Sequence, residues 1–254
     1  MQADEERRFG GLRRLYGDAA YARLRQARVA VVGVGGVGSW TVEALARSGV
    51  ARLVLIDLDQ VSESNVNRQL QATTDNLGMA KVEALRLRIA QIHPGCEVHS
   101  VEDFVTPQNW PAVLGQEVDA VIDACDNAPA KKAMVSWALH SGLPFVCVGA
   151  AGGKQNAQAV AVDDLSATTH DPMLAALRNR LRREGLAARS GRIGVRCVYS
   201  AESVKRPIVP GSDDEASCAV DSNLSCHGYG SSVVVTATFG MTAAGECIAQ
   251  LLRP

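Results

Sequence analysis

The first half of the chain alternates short apolar runs with longer amphipathic stretches. The apolar runs are rich in Val, Ile, Leu and Ala, which is typical of parallel strands buried on both faces. The predicted strands are Arg28–Val32, Arg52–Ile56, Glu97–Val101, Ala120–Asp123 and Phe145–Val148. The predicted helices, which have apolar residues at helical spacing and end near Gly or Pro, cover residues 39–47, 79–92 and 128–140. This alternation predicts a parallel sheet covered by helices.

The pattern changes after Asp163, where charged and loop-forming residues become frequent. We expect a charged helix over residues 171–184, a strand near residues 195–199, and then a loop rich in Ser, Pro, Asp and Gly. The predicted fold class is α/β, with a doubly wound, mainly parallel, Rossmann-like sheet and a C-terminal α+β extension. We expect one domain over residues 1–254, with a nucleotide-binding half over 1–150 and the extension, including a basic helical insertion, over 151–254.

Residues 231–252 form the one stretch that a hydropathy scan marks as a possible membrane span. Its Ser and Thr residues, together with Gly240, Gly245 and Glu246, favour a buried strand and helix instead. The first fourteen residues contain charges and glycines but no apolar run, so we expect no secretory signal. We therefore predict a cytoplasmic protein that does not bind membranes.

Composition excludes several classes of protein. The 26 Lys and Arg nearly balance the 27 Asp and Glu, which excludes a histone-like or polyanionic chain. Aromatic residues make up only 4%, which argues against a module that stacks bases on an aromatic platform. The seven cysteines contain no C-x-x-C pair, so we predict neither a zinc site nor a disulfide scaffold.

A glycine-rich turn directly follows the first predicted strand. It contains Gly33, Gly35, Gly36 and Gly38, and the missing side chains allow backbone N–H groups and the helix dipole to approach a phosphate. Asp57 ends the second strand 24 residues after Gly33, where an acidic side chain accepts hydrogen bonds from a ribose hydroxyl. The alternative is that these glycines serve only a tight turn. Together, the two features indicate a site for an adenosine nucleotide.

The polar residues that come next favour ATP over a dinucleotide such as NAD. They are Asp59, Asn65, Arg68, Gln69 and Lys81. Arg68 offers a planar guanidinium to phosphate oxygens, and Asn65 offers amide donors. Lys81 lies near the start of a predicted helix, where the helix dipole disfavours a cation, so a nearby polyphosphate explains its placement. The alternatives are a solvated surface lysine for Lys81 and surface turns for the other two.

Asp126 and Asn127 follow the fourth strand at the carboxyl edge of the sheet. Open α/β folds bind ligands at this edge, and a carboxylate there is suited to hold Mg²⁺. The alternative role of Asp126 is the N-cap of the helix that follows, and the pair is able to fill both roles.

The combined motifs resemble the ubiquitin-activating-enzyme-like superfamily of the ThiF/MoeB type, whose members adenylate a carboxylate with ATP. The resemblance covers about residues 8–150. It implies that the four glycines, Asp57, Asp59, Gln69 and Asn127 belong to the nucleotide site. By the same resemblance, Asn65, Arg68 and Lys81 contact the phosphates, and Asp126 binds Mg²⁺. Arg68, Lys81 and Asp126 are thus the candidate catalytic residues.

Further motifs extend the resemblance to nearly the full chain and narrow it to the tRNA threonylcarbamoyladenosine dehydratases. These motifs are Arg8-Phe9-Gly10-Gly11, Leu15-Tyr16-Gly17, residues 103–107, residues 171–174 with Leu177 and Arg178, and residues 235–240. Members of that family use ATP to cyclise a threonylcarbamoyl group on the adenosine beside the anticodon. The resemblance implies a homodimer, a tRNA substrate and association with a cysteine desulfurase system.

The chain departs from the superfamily's sulfur-carrier activators in two ways. It lacks their two C-x-x-C zinc pairs, which counts against activation of a sulfur carrier. Gly11 occupies the place of an N-terminal arginine that, in those activators, reaches the phosphates of the partner subunit. Arg13 and Arg14 are the candidate substitutes.

Two further hypotheses concern the extension. Residues 178–206 contain nine Lys or Arg and two Glu, a local charge of +7, so Arg178, Arg182 and Arg183 are candidates for binding the tRNA backbone. The alternative is a solvated charged face. Cys226, next to His227, is the candidate reactive thiol, and the alternative is a structural thiol.

Two rival functions remain open from the sequence alone. One is adenylation of the C-terminus of a ubiquitin-like sulfur-carrier protein. The other is a nucleotide-binding scaffold for sulfur relay that has lost turnover.

Overall fold

The computed structural model describes residues 4–205, 207 and 229–253. The helices are α1 (Glu5–Tyr16), α2 (Asp18–Leu24), α3 (Gly38–Arg47), α4 (Lys81–Ile92), α5 (Ala128–Ser141), α6 (Pro172–Arg183) and α7 (Val233–Leu251). The strands are β1 (Arg28–Val32), β2 (Arg52–Ile56), β3 (Glu97–Val101), β4 (Ala120–Asp123), β5 (Phe145–Val148), β6 (Val160–Asp164) and β7 (Arg196–Ser200).

The seven strands in the described part of the chain belong to one sheet, in the order β3-β2-β1-β4-β5-β7-β6. Every neighbouring pair is parallel except β6 and β7, which are antiparallel. The chain builds the sheet outward from β1 in one direction through β2 and β3, and then in the other direction from β4. The order therefore reverses between β1 and β4, and open α/β sheets bind ligands in the crevice at such a reversal.

Strand β1 shows how the sheet buries both of its faces. Val29 and Val31 pack on the side covered by α3, α4 and α7, whereas Ala30 and Val32 pack on the side covered by α5 and α6. Neither side of the strand meets water, which explains why the sequence of the strand shows no polar alternation.

The predicted fold class is confirmed, and the five predicted strands have the bounds expected from the sequence. The predicted helix over 79–92 begins two residues late, at Lys81, and the last predicted strand is shifted by one residue to Arg196–Ser200. Strand β6 was not predicted. Its alternation is weak because only its last residue is fully buried at the edge of the sheet.

The prediction of a strand and a helix over 231–252 is wrong, because Val233–Leu251 is one continuous helix. This helix is long and apolar enough to cross a membrane by length and composition. Val235, Phe239 and Ala243 on one side of it are fully buried in the core between α3 and the sheet. Burial of that side accounts for the apolar composition, because a helix at the centre of a fold needs a wide apolar face.

Candidate functional site

The glycine-rich turn lies between β1 and α3, at the reversal of strand order. Gly33 has φ +80°, and a Cβ there would lie 2.9 Å from the Cα of Cys125. A Cβ on Gly38 would lie 1.8 Å from the carbonyl oxygen of Gly33. Only glycine fits these two positions without moving the backbone. The turn thus brings the N-terminus of α3, whose first amides point toward the cleft, close to the carboxyl ends of the strands.

Asp57 follows β2 and supports this turn. Its carboxylate accepts hydrogen bonds from the backbone N–H of Val34 at 2.8 Å and from that of Asp59 at 2.9 Å. Burial raises the pKa of Asp57 above its ordinary value, although the charge of Lys81 opposes the shift. Each carboxylate oxygen accepts more than one hydrogen bond, so Asp57 is able to hold the turn and also to accept from a ribose hydroxyl.

Lys81 is the first residue of α4 and is only 5% exposed, which excludes the surface-lysine alternative. Its Nζ lies 2.7 Å from the Oδ2 of Asp59, and its backbone N–H donates to the carbonyl of Asp59 at 3.0 Å. Asp59 thus compensates the charge of a lysine at a helix N-terminus, and the sequence analysis did not identify this partner. The pair holds the ammonium at the wall of the cleft, where phosphates would approach.

Asn65 and Gln69 are both buried, and both shape the wall of the cleft. The Oδ1 of Asn65 accepts from the backbone N–H of Ser62 at 3.1 Å, closing a capping box around a single 3₁₀ turn. The Oε1 of Gln69 accepts from the Nε2 of Gln71 at 3.2 Å, and that Nε2 also donates to the carbonyl of Val34 at 2.9 Å. The bond from Gln71 to Val34 ties the segment to the glycine-rich turn, and Asn65 is a turn residue that is buried rather than at the surface.

Arg68 is half-buried, and its backbone is held more firmly than its side chain. Its carbonyl accepts from the Nε1 of Trp40 and from the Oγ1 of Thr236, each at 3.1 Å. Its Nη1 donates to the carbonyl of Ser64 and, at 2.9 Å, to the Oδ1 of Asn67. Neither of these acceptors is a carboxylate, so the positive charge of Arg68 is not neutralised by them and remains available for a phosphate.

The structure separates the roles of Asp126 and Asn127. Asn127 is the N-cap of α5, because its Oδ1 accepts from the backbone N–H of Ala130 at 2.9 Å. Asp126 is exposed and borders the cleft. The capping function that competed with metal binding in the sequence analysis is thus filled by Asn127, and the carboxylate of Asp126 faces solvent at the carboxyl edge of the sheet.

The predicted residues converge on one cleft of about 380 Å³. Those that line it are Gly35, Gly36, Asp57, Asp59, Asn65, Arg68, Gln69, Lys81 and Asp126. A neighbouring hollow of about 410 Å³ shares Asp57, Asp59 and Asp126 with the cleft, and its lining adds Gly33, Asn127 and residues 103–108. The sequence analysis missed Thr236 and Met173, which bring α7 and α6 to the cleft.

The donor set fits Mg²⁺, although the described residues contain no group of three His, Cys, Asp or Glu side chains that could hold a metal. Mg²⁺ keeps several waters and uses one or two carboxylates together with substrate phosphates, so such a group is not required. Asp126 offers one exposed carboxylate at the edge of the cleft, whereas Asp57 and Asp59 are already engaged by backbone N–H groups and by Lys81.

A buried ion pair beside the cleft was also missed. Asp123, the last residue of β4, and Lys131 in α5 are both fully buried, with 2.8 Å between Oδ2 and Nζ. Burial opposes the charge of Lys131, but Asp123 together with the neighbouring Cys147 and Cys125 raises the pKa of Lys131 above its ordinary value. The available signal was helical spacing, since Lys131 shares the apolar stripe of Met134 and Val135.

The candidate thiol Cys226 lies outside the described residues. Cys125 does line the cleft, but burial, together with the charge of Asp123, raises its pKa well above the ordinary value. A thiol with a raised pKa stays protonated at neutral pH and is a poor nucleophile.

The three arginines proposed to bind tRNA have different surroundings. The Nη1 of Arg178 donates to the carbonyls of Leu165 and Thr168 at 3.1 and 3.0 Å, so this side chain holds its own chain together. Arg182 donates to the carbonyl of Gly191 at 3.1 Å. Arg183 is exposed and has no ion pair within the part of the chain that the structure describes. Of the three, only Arg183 is exposed and without a side-chain hydrogen bond or ion pair to the described residues.

Comparison with known proteins shows similarity over nearly the whole chain. The profile of the ThiF family matches residues 9–254. The tRNA threonylcarbamoyladenosine dehydratase of Escherichia coli is 40% identical, over 96% of this chain and 93% of its own. The solved structure of E. coli tRNA N6-threonylcarbamoyladenosine dehydratase, TcdA, in complex with ATP has a TM-score of 0.86 at 39% identity, covering 99% of this chain and 96% of that one. The structure of TcdA in complex with AMP has a TM-score of 0.87 at 39% identity and the same coverage.

Proposed function

The chain belongs to the ThiF family, and from that premise we propose that it is an ATP-dependent dehydratase that cyclises threonylcarbamoyladenosine in tRNA. The observation that carries the proposal is the convergence of the glycine-rich turn, Asp57, Arg68, Lys81 and Asp126 on one cleft at the reversal of strand order. The similarity to an E. coli dehydratase whose solved structures contain ATP and AMP supports the same activity.

The first chemical step is adenylation of the threonyl carboxylate. An unactivated carboxylate is a poor electrophile because its leaving group would be oxide, whereas a carboxyl-adenylate loses AMP. A carboxylate oxygen attacks the α-phosphorus of ATP, and the bond to the β-phosphate oxygen breaks to release pyrophosphate. Arg68 and Lys81 stabilise the negative charge that develops on the departing pyrophosphate. No protein nucleophile is needed, because the step requires only positioning and electrostatic stabilisation.

The remaining site residues hold the nucleotide. The amides of the glycine-rich turn face the phosphates, and Asp57 accepts from the ribose. Asp126 would hold Mg²⁺, which neutralises phosphate charge when it is bound. Asn65 and Gln69 keep the wall of the cleft in place through the hydrogen bonds of their side chains.

The second step is closure of the ring. The carbamoyl nitrogen of the substrate attacks its own activated carboxyl, AMP leaves, and the nitrogen loses a proton. Intramolecular reactions reach effective molarities of about 10⁵ to 10⁸ M, equivalent to roughly 7 to 11 kcal/mol of the barrier. Since the attacking group is part of the substrate, the reaction needs no thiolate, which agrees with the raised pKa of Cys125.

The tRNA backbone contacts the exposed basic residues at the far end of α6. Arg183, Arg189 and Arg192 are exposed there. The N-cap of the helix is Asp171, which accepts from the backbone N–H of Ala150 at the cleft at 2.8 Å. Its 12 residues rise about 18 Å in total. This distance suits a stem whose backbone lies on the basic end while the modified nucleoside reaches the cleft.

The protein acts as a homodimer. Val66 on the segment before α4 and Val234 and Met241 on α7 are about half exposed, at 55, 56 and 45%. A second copy that covers these apolar side chains would remove them from water. Light scattering coupled to size exclusion tests the dimer, and Met241→Glu is expected to shift the protein toward the monomer mass. An unchanged dimer would place the interface elsewhere.

Arg14 is the better candidate to reach the partner's phosphates. Arg13 is engaged within its own chain by Glu6 at 3.2 Å and Asp18 at 3.4 Å, and it lies over the ring of Tyr21. Arg14 forms no ion pair within the part of the chain that the structure describes. An association with a cysteine desulfurase system and a cytoplasmic location stay predictions.

The decisive experiment is incubation of the protein with ATP, Mg²⁺ and tRNA that carries threonylcarbamoyladenosine, followed by mass spectrometry of the nucleosides. The expected product is lighter by one water, with AMP and pyrophosphate released. Arg68→Ala and Lys81→Ala are expected to abolish turnover, and Asp57→Ala mainly to weaken ATP binding. Arg86→Ala is the matched control, because Arg86 lies on the same helix as Lys81 but forms an exposed ion pair with Glu83.

Other outcomes would separate the rival functions. If authentic tRNA is not dehydrated but a small carrier protein drives exchange of pyrophosphate into ATP, the protein adenylates a ubiquitin-like tail. Tight ATP binding without turnover on any partner would indicate a scaffold.

A further inference from the structure

The buried pair of Asp123 and Lys131 connects three elements at the carboxyl edge of the sheet. Asp123 ends β4, Lys131 lies one turn into α5, and the Nζ of Lys131 also donates to the carbonyl of Val148 at the end of β5, at 2.9 Å. The ammonium thus joins the ends of two neighbouring strands to the helix that follows the cleft.

The same pair also reaches the turn that borders the cleft. The Oδ1 of Asp123 accepts from the backbone N–H of Cys125 at 3.2 Å, and the Sγ of Cys125 lies 3.1 Å from that oxygen. Cys125 packs its backbone against Gly33 and is followed directly by Asp126. Asp126 itself has no hydrogen bond to another residue in the described ranges, so its position depends on the backbone of this turn.

We propose that Lys131 is a positioning residue, which acts through Asp123 and the backbone of Cys125 to hold Asp126 where Mg²⁺ and the phosphates of ATP meet it. This inference rests on the proposed function, since it takes Asp126 to be the residue that binds Mg²⁺. Lys131 touches neither ATP nor the tRNA, because it is 0% exposed.

Stability alone is a weak explanation for this pair. A buried ion pair pays a desolvation penalty, and well-packed apolar residues of similar volume often give an equally stable fold. Lys131 lies on the apolar stripe of α5, where Met would fit its length. The position next to the cleft is what distinguishes this pair. Both carboxylate oxygens of Asp123 accept hydrogen bonds at the carboxyl ends of the strands, one from Cys125 and the other from Lys131.

The test is a mutant cycle between Lys131→Met and Asp126→Ala. Each single change is expected to lower kcat about 10²-fold, the cost of misplacing a reacting or stabilising group by about 1 Å. If Lys131 acts through Asp126, the double variant loses little more than either single one. Lys132→Met is the matched control, because Lys132 is the next residue and forms an ion pair with Glu184 at the surface. Wild-type kcat is expected for the control.

A second readout does not depend on turnover. Titration calorimetry measures the affinity for ATP with and without Mg²⁺, and the ratio gives the gain in affinity that Mg²⁺ confers. We expect Asp126→Ala and Lys131→Met to reduce this gain equally, with no further loss in the double variant and with ATP binding unchanged in the absence of Mg²⁺. A purely structural role would weaken binding under both conditions. This readout also tests Lys131 if tRNA proves not to be the substrate.

A paired replacement serves as the control for loss of folding. Lys131→Met leaves Asp123 buried without its cation, so the variant with Asp123→Asn and Lys131→Met, which leaves no unpaired charge, carries the test if the single variant does not fold. Wild-type kcat or an unchanged Mg²⁺ gain in a folded variant would overturn the proposal, as would multiplicative losses in the cycle. If the paired variant also fails to fold, the pair serves folding itself and the proposal is wrong.

Discussion

The helix cap at Asn127 and the proposed Mg²⁺ site at Asp126 predict opposite phenotypes for these two neighbouring residues. Asn127→Ala removes the acceptor that holds the backbone N–H of Ala130 at 2.9 Å. Loss of an N-cap costs about 1 kcal/mol, which lowers the melting temperature by about 2–4 °C in a protein of this size. Turnover is expected to remain near the wild-type value. Asn127→Ser, which retains a capping oxygen, restores the stability.

Asp126→Ala is expected to do the reverse. The carboxylate makes no hydrogen bond to the described part of the protein, so its only contribution to stability is its interaction with the positive end of the α5 dipole. For an exposed charge this is worth about 0.3–1 kcal/mol and is screened by salt. Turnover falls about 10²-fold or more, as is typical when one group that stabilises transition-state charge is removed.

The assay measures both quantities on both variants. Thermal unfolding is followed in about 1 M NaCl, where the Debye length is about 3 Å and the dipole contribution is largely screened. Turnover is measured at low salt with modified tRNA. If Asp126→Ala lost as much stability as the removal of an N-cap, about 1 kcal/mol, the assignment of the cap to Asn127 would be refuted. Loss of turnover in Asn127→Ala that Asn127→Ser does not restore would also refute it.

Three further outcomes follow from the contacts. Gly38→Ala is expected to abolish ATP binding measured by calorimetry, because its Cβ would lie 1.8 Å from a carbonyl oxygen of the same turn, whereas Gly245→Ala, with nothing within 4 Å, retains binding. Burial and a neighbouring guanidinium lower the pKa of His93 below its ordinary value of 6.5. The native state therefore binds fewer protons than the unfolded chain, so the contribution of His93 to stability is complete above about pH 6.5 and falls below it. Denaturant titration should show that the free energy of unfolding depends less on pH in His93→Gln than in the wild type. Identical pH dependences would contradict this. Arg178→Ala should lower the melting temperature without changing tRNA affinity, whereas Arg183→Ala should weaken tRNA binding and reduce its salt dependence by about one charge; equal effects of both on tRNA would disprove the distinction.

The positions of the first five strands and of the glycine-rich turn could be predicted from the sequence because they depend on local signals. A strand buried on both faces requires a continuous apolar run wherever it lies, and β1 and β4 have such runs. The turn after β1 requires glycines because its backbone approaches other backbone atoms closely. The position of Asp57 could be predicted by the same reasoning, because the end of the second strand always lies beside the glycine-rich turn in this kind of sheet.

The continuous helix at the C-terminus illustrates where local signals fail. The run of Val, Thr and Ala that begins α7 has the composition of a strand, and the prediction of a strand there was wrong. Packing against α3 and the sheet buries Val235 and Phe239 on one side and overrides that preference.

Partner choice is what only the tertiary structure decided. The sequence places Asp126 beside Asn127 and the three candidate tRNA-binding arginines along α6, but it does not say which side chain caps a helix, which binds its own backbone and which faces solvent. In the sequence, only helical spacing distinguishes Lys131 from its neighbour Lys132. The ionic partner of Lys81 also became known only from the structure, in which Asp59 lies 2.7 Å from it. Periodicity depends on the residue's own neighbours along the chain, whereas the state of a charge depends on groups that folding brings to within a few ångströms from distant positions.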